Sequence, residues 1–359
     1  MQVILKAARY ALPVAFFGYA AVVNLGYTKL PGANDLSFDI GLLRGTLSAK
    51  VDSVYRESLP HRAPAIGMIG ALRYLAVGEG RKGVVTGSDG WLFTAEELRP
   101  MQDPLSVPLG RVADVQAKLA AVGAKLVIVP VPGKLDVYVT HGSPDEAVGI
   151  AGLYQQFLAG LVAQGIPALD ARAALKTAAA SQPAFFRTDT HWTPAGATAV
   201  AQALAASGLV TPGDTGFDTT RAAQKTFTGD LVSYITTDGI APLLGLTPEA
   251  AVPYTAVARD TDASDIFAGA TAGSTVLIGT SYSANPAWSF AEALKLALGR
   301  DVLNEAVEGQ GPLRPMQDYL ASASFRDAPP ELVIWEIPVR YLSDPAIWQP
   351  ENSGGKSGA

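Results

Sequence analysis

The chain has 359 residues, of which 48% are hydrophobic and 17% charged, and its net charge at pH 7 is −6. This composition is globular and long enough for a sizeable core in one large domain or two small ones. The sequence shows no strong basic patch, so nucleic acid is not an expected partner. The absence of cysteine excludes thiol catalysis, disulfides and Cys-based zinc sites. With only three histidines (His61, His141 and His191), we expect no His-rich metal site and no metal cofactor.

The N-terminal segment differs from the rest of the chain. Lys6 and Arg9 precede an apolar run from Tyr10 to Tyr27, the pattern of a secretory signal or signal anchor. We predict an uncleaved membrane-anchor helix over residues 1–30 that holds an exported body at the inner membrane. The alternatives are a cleaved signal peptide, with a weak cleavage site at Gly18-Tyr19-Ala20, and a buried core helix.

The first part of the body shows helical periodicity and then a hairpin. Residues 36–75 carry apolar side chains at helical spacing. Next, Val84-Val85 and Trp91-Leu92-Phe93 flank the turn sequence GSDG, which predicts a short hairpin.

From residue 111 onward, amphipathic helices alternate with short strands that are almost entirely apolar. The predicted helices are 111–122, 148–164, 194–206, 285–298 and 312–322, and the predicted strands are 125–130, 166–170, 274–279, 302–306 and 331–337. This alternation predicts an α/β fold whose mostly parallel sheet is covered by helices on both faces. Residues 208–270 read as an insertion of loops and small strands, and residues 344–359 as a flexible tail.

The first motif that carries chemistry is RTDTHWTP at residues 187–194. In an extended or turn segment, residues i and i+2 project to the same side. Asp189 can therefore orient Nδ1 of His191 and leave Nε2 free to act as a base for a hydroxyl nucleophile. The alternative is that Asp189 or Thr193 only caps the helix that Pro194 opens.

The second motif, IGTSYS at residues 278–283, follows a predicted strand and precedes a helix. Catalytic groups in α/β sheets collect beyond the carboxyl ends of the strands, and backbone N–H groups at a helix start can stabilise an oxyanion. Ser281 is therefore the candidate nucleophile. Gly279 allows a close turn and is a candidate for oxyanion or substrate binding. The motif is not the G-x-S-x-G elbow, because Ser283 occupies the place of the second glycine. The alternative is that Ser281 or Ser283 only caps the helix.

The third motif, EGQGP at residues 308–312, also lies between a strand and a helix. Gly309 and Gly311 are candidates for a second oxyanion donor, and a plain turn is the alternative. A dinucleotide fingerprint is excluded because Pro312 follows and the third glycine is missing.

The fourth motif, WEIPVRY at residues 335–341, closes the last predicted strand. Glu336 and Arg340 can pair with each other or line a sugar site. Aromatic residues that can either offer a surface to a sugar ring or belong to the core are Trp192, Tyr282 and Trp288.

These motifs occur together in a fixed order, preceded by GSDGWLF at residues 87–93 and VPVPGKLDVY at residues 129–138. The set resembles the AlgX/AlgJ-type polysaccharide O-acetyltransferases, whose catalytic domain is SGNH-hydrolase-like, over residues 36–343. The resemblance implies a three-layer α/β/α fold with Asp189, His191 and Ser281 as a catalytic triad. It also implies a circularly permuted motif order, because the Asp-His pair precedes the serine.

The same resemblance implies an activity. An acetyl group would pass through a serine acyl-enzyme to hydroxyls of an exopolysaccharide in the periplasm, without a soluble cofactor. The acetyl source would be a membrane-bound O-acyltransferase. No carbohydrate-binding module follows WEIPVRYL, as in the AlgJ arrangement, so the acceptor can be alginate-like or cellulose-like. A polysaccharide acetylesterase with the same triad and a non-catalytic polysaccharide-binding assembly protein are the alternatives.

Overall fold

A computed structural model describes residues 2–26, 46–58, 62–259 and 274–349. The chain separates into two compact units, Met1–Leu72 and Arg73–Ala359. No helix within the described ranges has both the length and the apolar character that crossing a membrane requires. Of the helical segment predicted for residues 36–75, residues 36–45 and 59–61 lie outside the described ranges.

The described helices are α1 (Gln2–Leu25), α2 (Thr46–Ser58), α3 (Arg62–Val77), α4 (Ser106–Ala121), α5 (Lys134–Val137), α6 (Pro144–Ala163), α7 (Ala171–Ala179), α8 (Pro194–Ala206), α9 (Ser281–Ala284), α10 (Phe290–Leu298), α11 (Leu313–Ala321), α12 (Ala323–Asp327) and α13 (Pro345–Trp348). The strands are β1 (Val84–Thr86), β2 (Leu92–Thr94), β3 (Lys125–Val131), β4 (Phe217–Arg221), β5 (Lys225–Phe227), β6 (Glu249–Ala251), β7 (Tyr254–Ala258), β8 (Thr275–Ile278), β9 (Val302–Asn304) and β10 (Leu332–Pro338).

The central sheet has four strands in the order β3-β10-β8-β9, and all of its neighbours are parallel. Strand β10 pairs with β3 along its whole length, from Leu332 opposite Lys125 to Pro338 opposite Val131. On its other side, Trp335 of β10 lies opposite Ile278, the last residue of β8. The carboxyl ends of β3, β10 and β8 therefore finish at one edge of the sheet, where catalytic groups of α/β folds collect.

Both faces of the sheet are buried, which explains why its strands are almost entirely apolar. Side chains alternate between the two faces, so that Val127 and Val129 join one core while Leu126 and Ile128 join the other. The first core includes residues of α7, α8 and α10, and the second includes residues of α4, α6 and α11. The predicted parallel sheet with helices on both faces is thus confirmed.

Two predicted elements differ from the structure. The strand predicted at Ile166–Asp170 is reduced to a single parallel bridge between Ala168 and Ile128. Pro167 in this segment has no N–H to donate to a neighbouring strand, which limits the pairing. The helix predicted from residue 285 begins only at Phe290, because Ser289 adopts a left-handed backbone conformation with φ 55° and ends the preceding turn Pro286–Trp288.

The predicted insertion contains two short antiparallel strand pairs, β4 with β7 and β5 with β6. Its residues 260–270 lie outside the described ranges. The hairpin predicted before it is present as the antiparallel pair β1–β2. In the segment predicted as a tail, α13 forms a short helix with Trp348 buried, and residues 350–359 lie outside the described ranges.

Candidate active site

Three side chains that are distant in the sequence form one hydrogen-bonded row. Ser281 opens α9 directly after β8, and its Oγ lies 2.7 Å from Nε2 of His191, a residue 90 positions away. Nδ1 of His191 lies 2.7 Å from Oδ1 of Asp189. An ionised carboxylate can only accept, so the proton of the neutral imidazole is on Nδ1 and Nε2 is free to accept from the serine hydroxyl. This is the arrangement in which an imidazole can remove a proton from a hydroxyl nucleophile.

Burial differs along this row. Asp189 is buried, whereas Ser281 and His191 keep part of their surface accessible to solvent. Burial raises the pKa of Asp189, but the hydrogen bonds and charge of His191 outweigh it, together with the backbone N–H of Asp230, and the pKa lies below its ordinary value. The carboxylate therefore stays ionised beside the imidazole, and a substrate can reach the hydroxyl from solvent.

The turn that carries the nucleophile is held by Glu336 of β10. The carboxylate of this fully buried residue accepts from the N–H of Thr280 at 2.7 Å and from Oγ of Ser283 at 3.0 Å. A side chain at Gly279 would clash with it, since a Cβ there would lie 2.9 Å from Cβ of Glu336. Gly279 thus permits the nucleophile turn to pack closely against Glu336, and its role in oxyanion or substrate binding stays a prediction.

The backbone near Ser281 offers donors for a developing oxyanion. As the first residue of α9, Ser281 has no acceptor inside the helix, and its N–H donates to no other described residue. Gly309 and Gly311 both have left-handed backbone conformations, with φ 75° and 66°. Their loop runs beside the nucleophile turn, because the N–H of Val307 donates to the carbonyl of Gly279 at 3.2 Å. Within the described residues neither glycine bonds to the Asp-His-Ser row, and their oxyanion role stays a prediction.

The other predicted site residues, Tyr282, Trp192 and Arg340, are buried and form hydrogen bonds beneath the site. Oη of Tyr282 donates to the carbonyl of Thr190 at 2.8 Å and accepts from Nη1 of Arg340 at 2.9 Å. Nε1 of Trp192 donates to the carbonyl of Tyr282 at 3.0 Å. Arg340 pairs with Glu96, not with Glu336.

The aromatic residues around the site are covered by protein. Trp192 and Tyr282 are 0% and 1% exposed. Trp288 is 5% exposed, and its ring stacks on that of His191 with 5.4 Å between centroids. Of the two alternatives for these aromatic residues, a sugar surface or the core, their burial favours the core, because the rings pack there and against the imidazole.

Two residues that the motifs did not indicate support the catalytic loop from the insertion. Asp230 accepts from the N–H of Thr190 at 2.8 Å. Glu249 accepts from the N–H and Oγ1 of Thr188 at 2.6 and 2.7 Å. Both lie 40 or more residues from their partners, so local patterns contain no signal for them.

Ligand atoms of Asp189, His191 and Asp230 lie within 4.8 Å of one another, a spacing that a metal ion could use. Their atoms are already engaged, however, because Nδ1 of His191 bonds to Asp189 and Asp230 accepts from Thr190. Asp230 as a whole residue is exposed to solvent, but its carboxyl group is desolvated. This desolvation is the main cause that raises the pKa of Asp230, and the negative charge of Asp189 is the second. These ligand atoms are therefore better placed to orient His191 and its loop than to hold a cation.

Known proteins are similar to this chain in sequence and in fold. Residues 84–339 match the family described as "SGNH hydrolase-like domain, acetyltransferase AlgX". "Probable alginate O-acetylase AlgJ" of Pseudomonas aeruginosa is 37% identical, over 95% of this chain and 91% of that protein. The protein of the same name from Azotobacter vinelandii is 35% identical over 91% and 87%.

A solved structure described as "O-Acetyltransferase Domain of Pseudomonas putida AlgJ" is similar with a TM-score of 0.67 and 36% identity. That similarity covers 76% of this chain and 96% of the other. The fold is accordingly SGNH-hydrolase-like, with a mostly parallel central sheet. On these grounds the chain belongs to the AlgX/AlgJ family of SGNH hydrolase-like acetyltransferases.

Proposed function

We propose that this chain is a polysaccharide O-acetyltransferase that works through an acyl-enzyme on Ser281. The observation that carries the proposal is the continuous row from Ser281 through His191 to Asp189, with 2.7 Å at each step. His191 takes the proton of Ser281 as the hydroxyl attacks an acetyl donor. The ionised carboxylate of Asp189 stabilises the imidazolium that results.

The tetrahedral intermediate needs donors for its oxyanion. The unengaged N–H of Ser281 is the first candidate, and the N–H groups of Gly309 and Gly311 are the second. Each donor of this kind contributes on the order of 3 kcal/mol to the stability of the transition state. His191 then returns its proton to the leaving group. A sugar hydroxyl, deprotonated by His191 in turn, takes the acetyl group and frees the serine.

The acceptor that we propose is an exopolysaccharide in the periplasm. The names of the similar proteins point to alginate, and alginate-like and cellulose-like chains both offer the hydroxyl that the reaction requires. Water in place of the sugar would make the same site an acetylesterase, because the two reactions share the acyl-enzyme.

The proposal includes a place for the reaction at the inner membrane and a source for the acetyl group. Lys6 and Arg9 precede the apolar run, and α1 exposes the large apolar side chains of Phe16, Phe17 and Leu25. These features support attachment of residues 1–30 to the membrane. A membrane-bound O-acyltransferase would supply the acetyl group there. Fractionation of the full chain and of a variant that lacks residues 1–30 tests the attachment.

The purified chain, incubated with an activated acetyl ester and an oligosaccharide, tests the chemistry. We expect a mass increase of one acetyl on the sugar and loss of this product in Ser281→Ala. Acetate without acetylated sugar would instead identify an esterase. A folded Ser281→Ala variant that acetylates as well as the parent would contradict the triad and favour a polysaccharide-binding role.

A further inference from the structure

Lys134 is a buried cation at the sheet edge that carries the triad. It follows β3 after Pro132 and Gly133 and is 1% exposed. Its Nζ donates to three backbone carbonyls, those of Leu92, Arg187 and Asp189, at 2.6, 2.9 and 2.9 Å. An ammonium has three N–H donors and no acceptor, so the bonding capacity of this group is completely used.

These three carbonyls belong to two different parts of the chain. Leu92 begins β2 of the hairpin, whereas Arg187 and Asp189 lie in the loop that carries the Asp-His pair. A direct bond from the N–H of Leu92 to the carbonyl of Arg187, at 3.0 Å, continues the connection. The rings of Trp91 and Phe93 also face Nζ, with centroids 5.2 and 5.4 Å away. The motifs GSDGWLF and VPVPGK, to which the proposed chemistry assigns no role, therefore meet at this one ammonium.

Carboxyl groups lie near Lys134 inside the protein. The carboxylate of Glu97 accepts from the backbone N–H groups of Lys134 and Leu135 at 3.0 and 2.8 Å. Desolvation lowers the pKa of Lys134 to about 8, against the attraction of nearby carboxylates, which are Glu97, Asp189, Glu249 and Asp230. The ammonium is thus protonated at neutral pH and loses its proton in mildly alkaline solution.

We infer that Lys134 is a positioning residue of the acyl-transfer site, which holds the backbone of Asp189 so that its carboxylate meets Nδ1 of His191. The inference rests on the proposed function. A neutral amine has two donors instead of three, so deprotonation releases one of the carbonyls. The loop then loses one of its fixed points, and small displacements of catalytic groups reduce turnover strongly.

The test compares the full parent chain with Lys134→Met and with an aminoethylated Lys134→Cys variant. The sequence has no cysteine, so 2-bromoethylamine applied to the unfolded variant before refolding modifies position 134 alone. The product restores an ammonium at the same chain length, and the sulfur lowers its basicity. Turnover of an activated acetyl ester is measured from below to above about pH 8, with Ser281→Ala as the blank.

We expect Lys134→Met to lower kcat on the order of 10²-fold with little change in KM. Aminoethylation should restore most of kcat and move the alkaline decline in activity to lower pH. Lys118→Met, which removes an exposed lysine of α4, is the matched control and should leave both constants unchanged. A folded Lys134→Met variant with the parent's kcat would overturn the inference. If Lys134→Met does not fold, the pH profiles of the parent and the aminoethylated chain decide. An alkaline decline in activity at the same pH in both chains would also overturn the inference.

A readout independent of activity separates this inference from the proposed function. The chain has only three histidines, so the imidazole resonances of His191 are readily assigned. In the parent we expect a resonance from the hydrogen-bonded Nδ1 proton of His191. This resonance should disappear when Lys134 loses its proton above about pH 8. An unchanged resonance across that pH range would overturn the positioning role. Absence of any acyl transfer or ester turnover in the parent would count against the function alone.

Discussion

At the scale of single residues, Asp189 uses both carboxylate oxygens. Oδ1 accepts from Nδ1 and from the backbone N–H of His191 at 2.7 and 2.9 Å. Oδ2 accepts from the backbone N–H of Asp230 at 3.0 Å. Because both oxygens are engaged, the carboxylate cannot rotate away from the imidazole without losing a bond. These hydrogen bonds of Asp189 thus determine which ring nitrogen of His191 faces Ser281.

Replacement of Asp189 by Asn should therefore abolish most of the activity. An amide does not stabilise the imidazolium, and its NH₂ group favours the wrong tautomer of His191. We expect kcat for acetyl transfer to fall on the order of 10⁴-fold, with the fold retained. Initial rates with an activated acetyl ester measure the effect, and circular dichroism checks the fold.

Asp230→Asn is the matched control for that substitution. The Asp230 side chain accepts from Thr190 and makes no hydrogen bond to the ring of His191, and Asn keeps an oxygen acceptor. We expect less than about tenfold loss of activity. Equal losses in the two variants would show that general loop disturbance, not the carboxylate at position 189, limits the reaction.

Residue types and short spacings indicated the members of the row as candidates, since Asp189 and His191 are two positions apart and Ser281 follows an apolar strand, but helix capping was an alternative for both motifs. Only the resemblance to the AlgX/AlgJ-type acetyltransferases implied that the three residues form a triad. Neither the spacings nor the resemblance indicated the contacts of Lys134, Asp230 and Glu249. These three act on the catalytic loop through backbone carbonyl and N–H groups that are 40 or more residues away. Backbone contacts of this kind leave no pattern in the sequence near either partner.

At the scale of elements, Tyr282 joins α9 to the catalytic loop. Its carbonyl accepts from Nε1 of Trp192, and its hydroxyl donates to the carbonyl of Thr190. One residue thus bonds to both sequence neighbours of His191. Arg340, which follows β10, donates to the same hydroxyl. The nucleophile turn, the Asp-His loop and the end of the central strand are thereby connected through one buried phenol.

Tyr282→Phe should weaken this connection without opening a cavity. It removes a donor to Thr190 and leaves a buried N–H of Arg340 without its acceptor, and a loss of this kind costs about 1–3 kcal/mol. We expect a decrease of that size in the free energy of unfolding, measured with urea. Tyr319→Phe is the control, because the hydroxyl of Tyr319 makes no side-chain hydrogen bond among the described residues, and we expect a change within about 0.5 kcal/mol. Equal effects would contradict the bracing role.

The elements that could be predicted from sequence are those whose burial imposes a regular pattern. Strands β3, β8 and β10 are buried on both faces and appear in the sequence as short apolar runs. The segment at Ile166–Asp170 has the same apolar character, but Pro167 restricts it to one bridge. The start of α10 was misplaced because the left-handed conformation of Ser289 has no signature such as glycine.

At the scale of the whole molecule, the parallel sheet brings the site together. The residues Lys134, Ser281 and Arg340 each follow the carboxyl end of a different strand, and these strands are neighbours. The loop of the Asp-His pair then needs only to reach that edge, from wherever it occurs along the chain. The hydrogen-bonded row can therefore form although the Asp-His pair precedes the serine in the sequence.

Burial of charge at this edge should also make folding depend on pH. Glu336 is 0% exposed, and burial raises its pKa above the ordinary value of 4.5, against the bonds from Thr280 and Ser283. The Glu336 carboxyl therefore binds more protons in the folded chain than in the unfolded chain between pH 4.5 and its folded pKa. Its contribution to the free energy of unfolding falls as pH rises through this range, by about 1.4 kcal/mol for each unit of difference.

Glu336→Gln isolates this contribution because an amide does not ionise in this range. The substitution also replaces one oxygen that faces the nucleophile turn by an NH₂ group. We expect the variant to be less stable than the parent at pH 4.5, and this deficit to shrink or reverse at neutral pH, because the pKa of Glu336 is raised in the folded chain. Urea denaturation at the two pH values measures the change. Glu308→Gln, at an exposed carboxylate, should show a constant difference, and the same constancy in Glu336→Gln would mean that residue 336 ionises alike in both states.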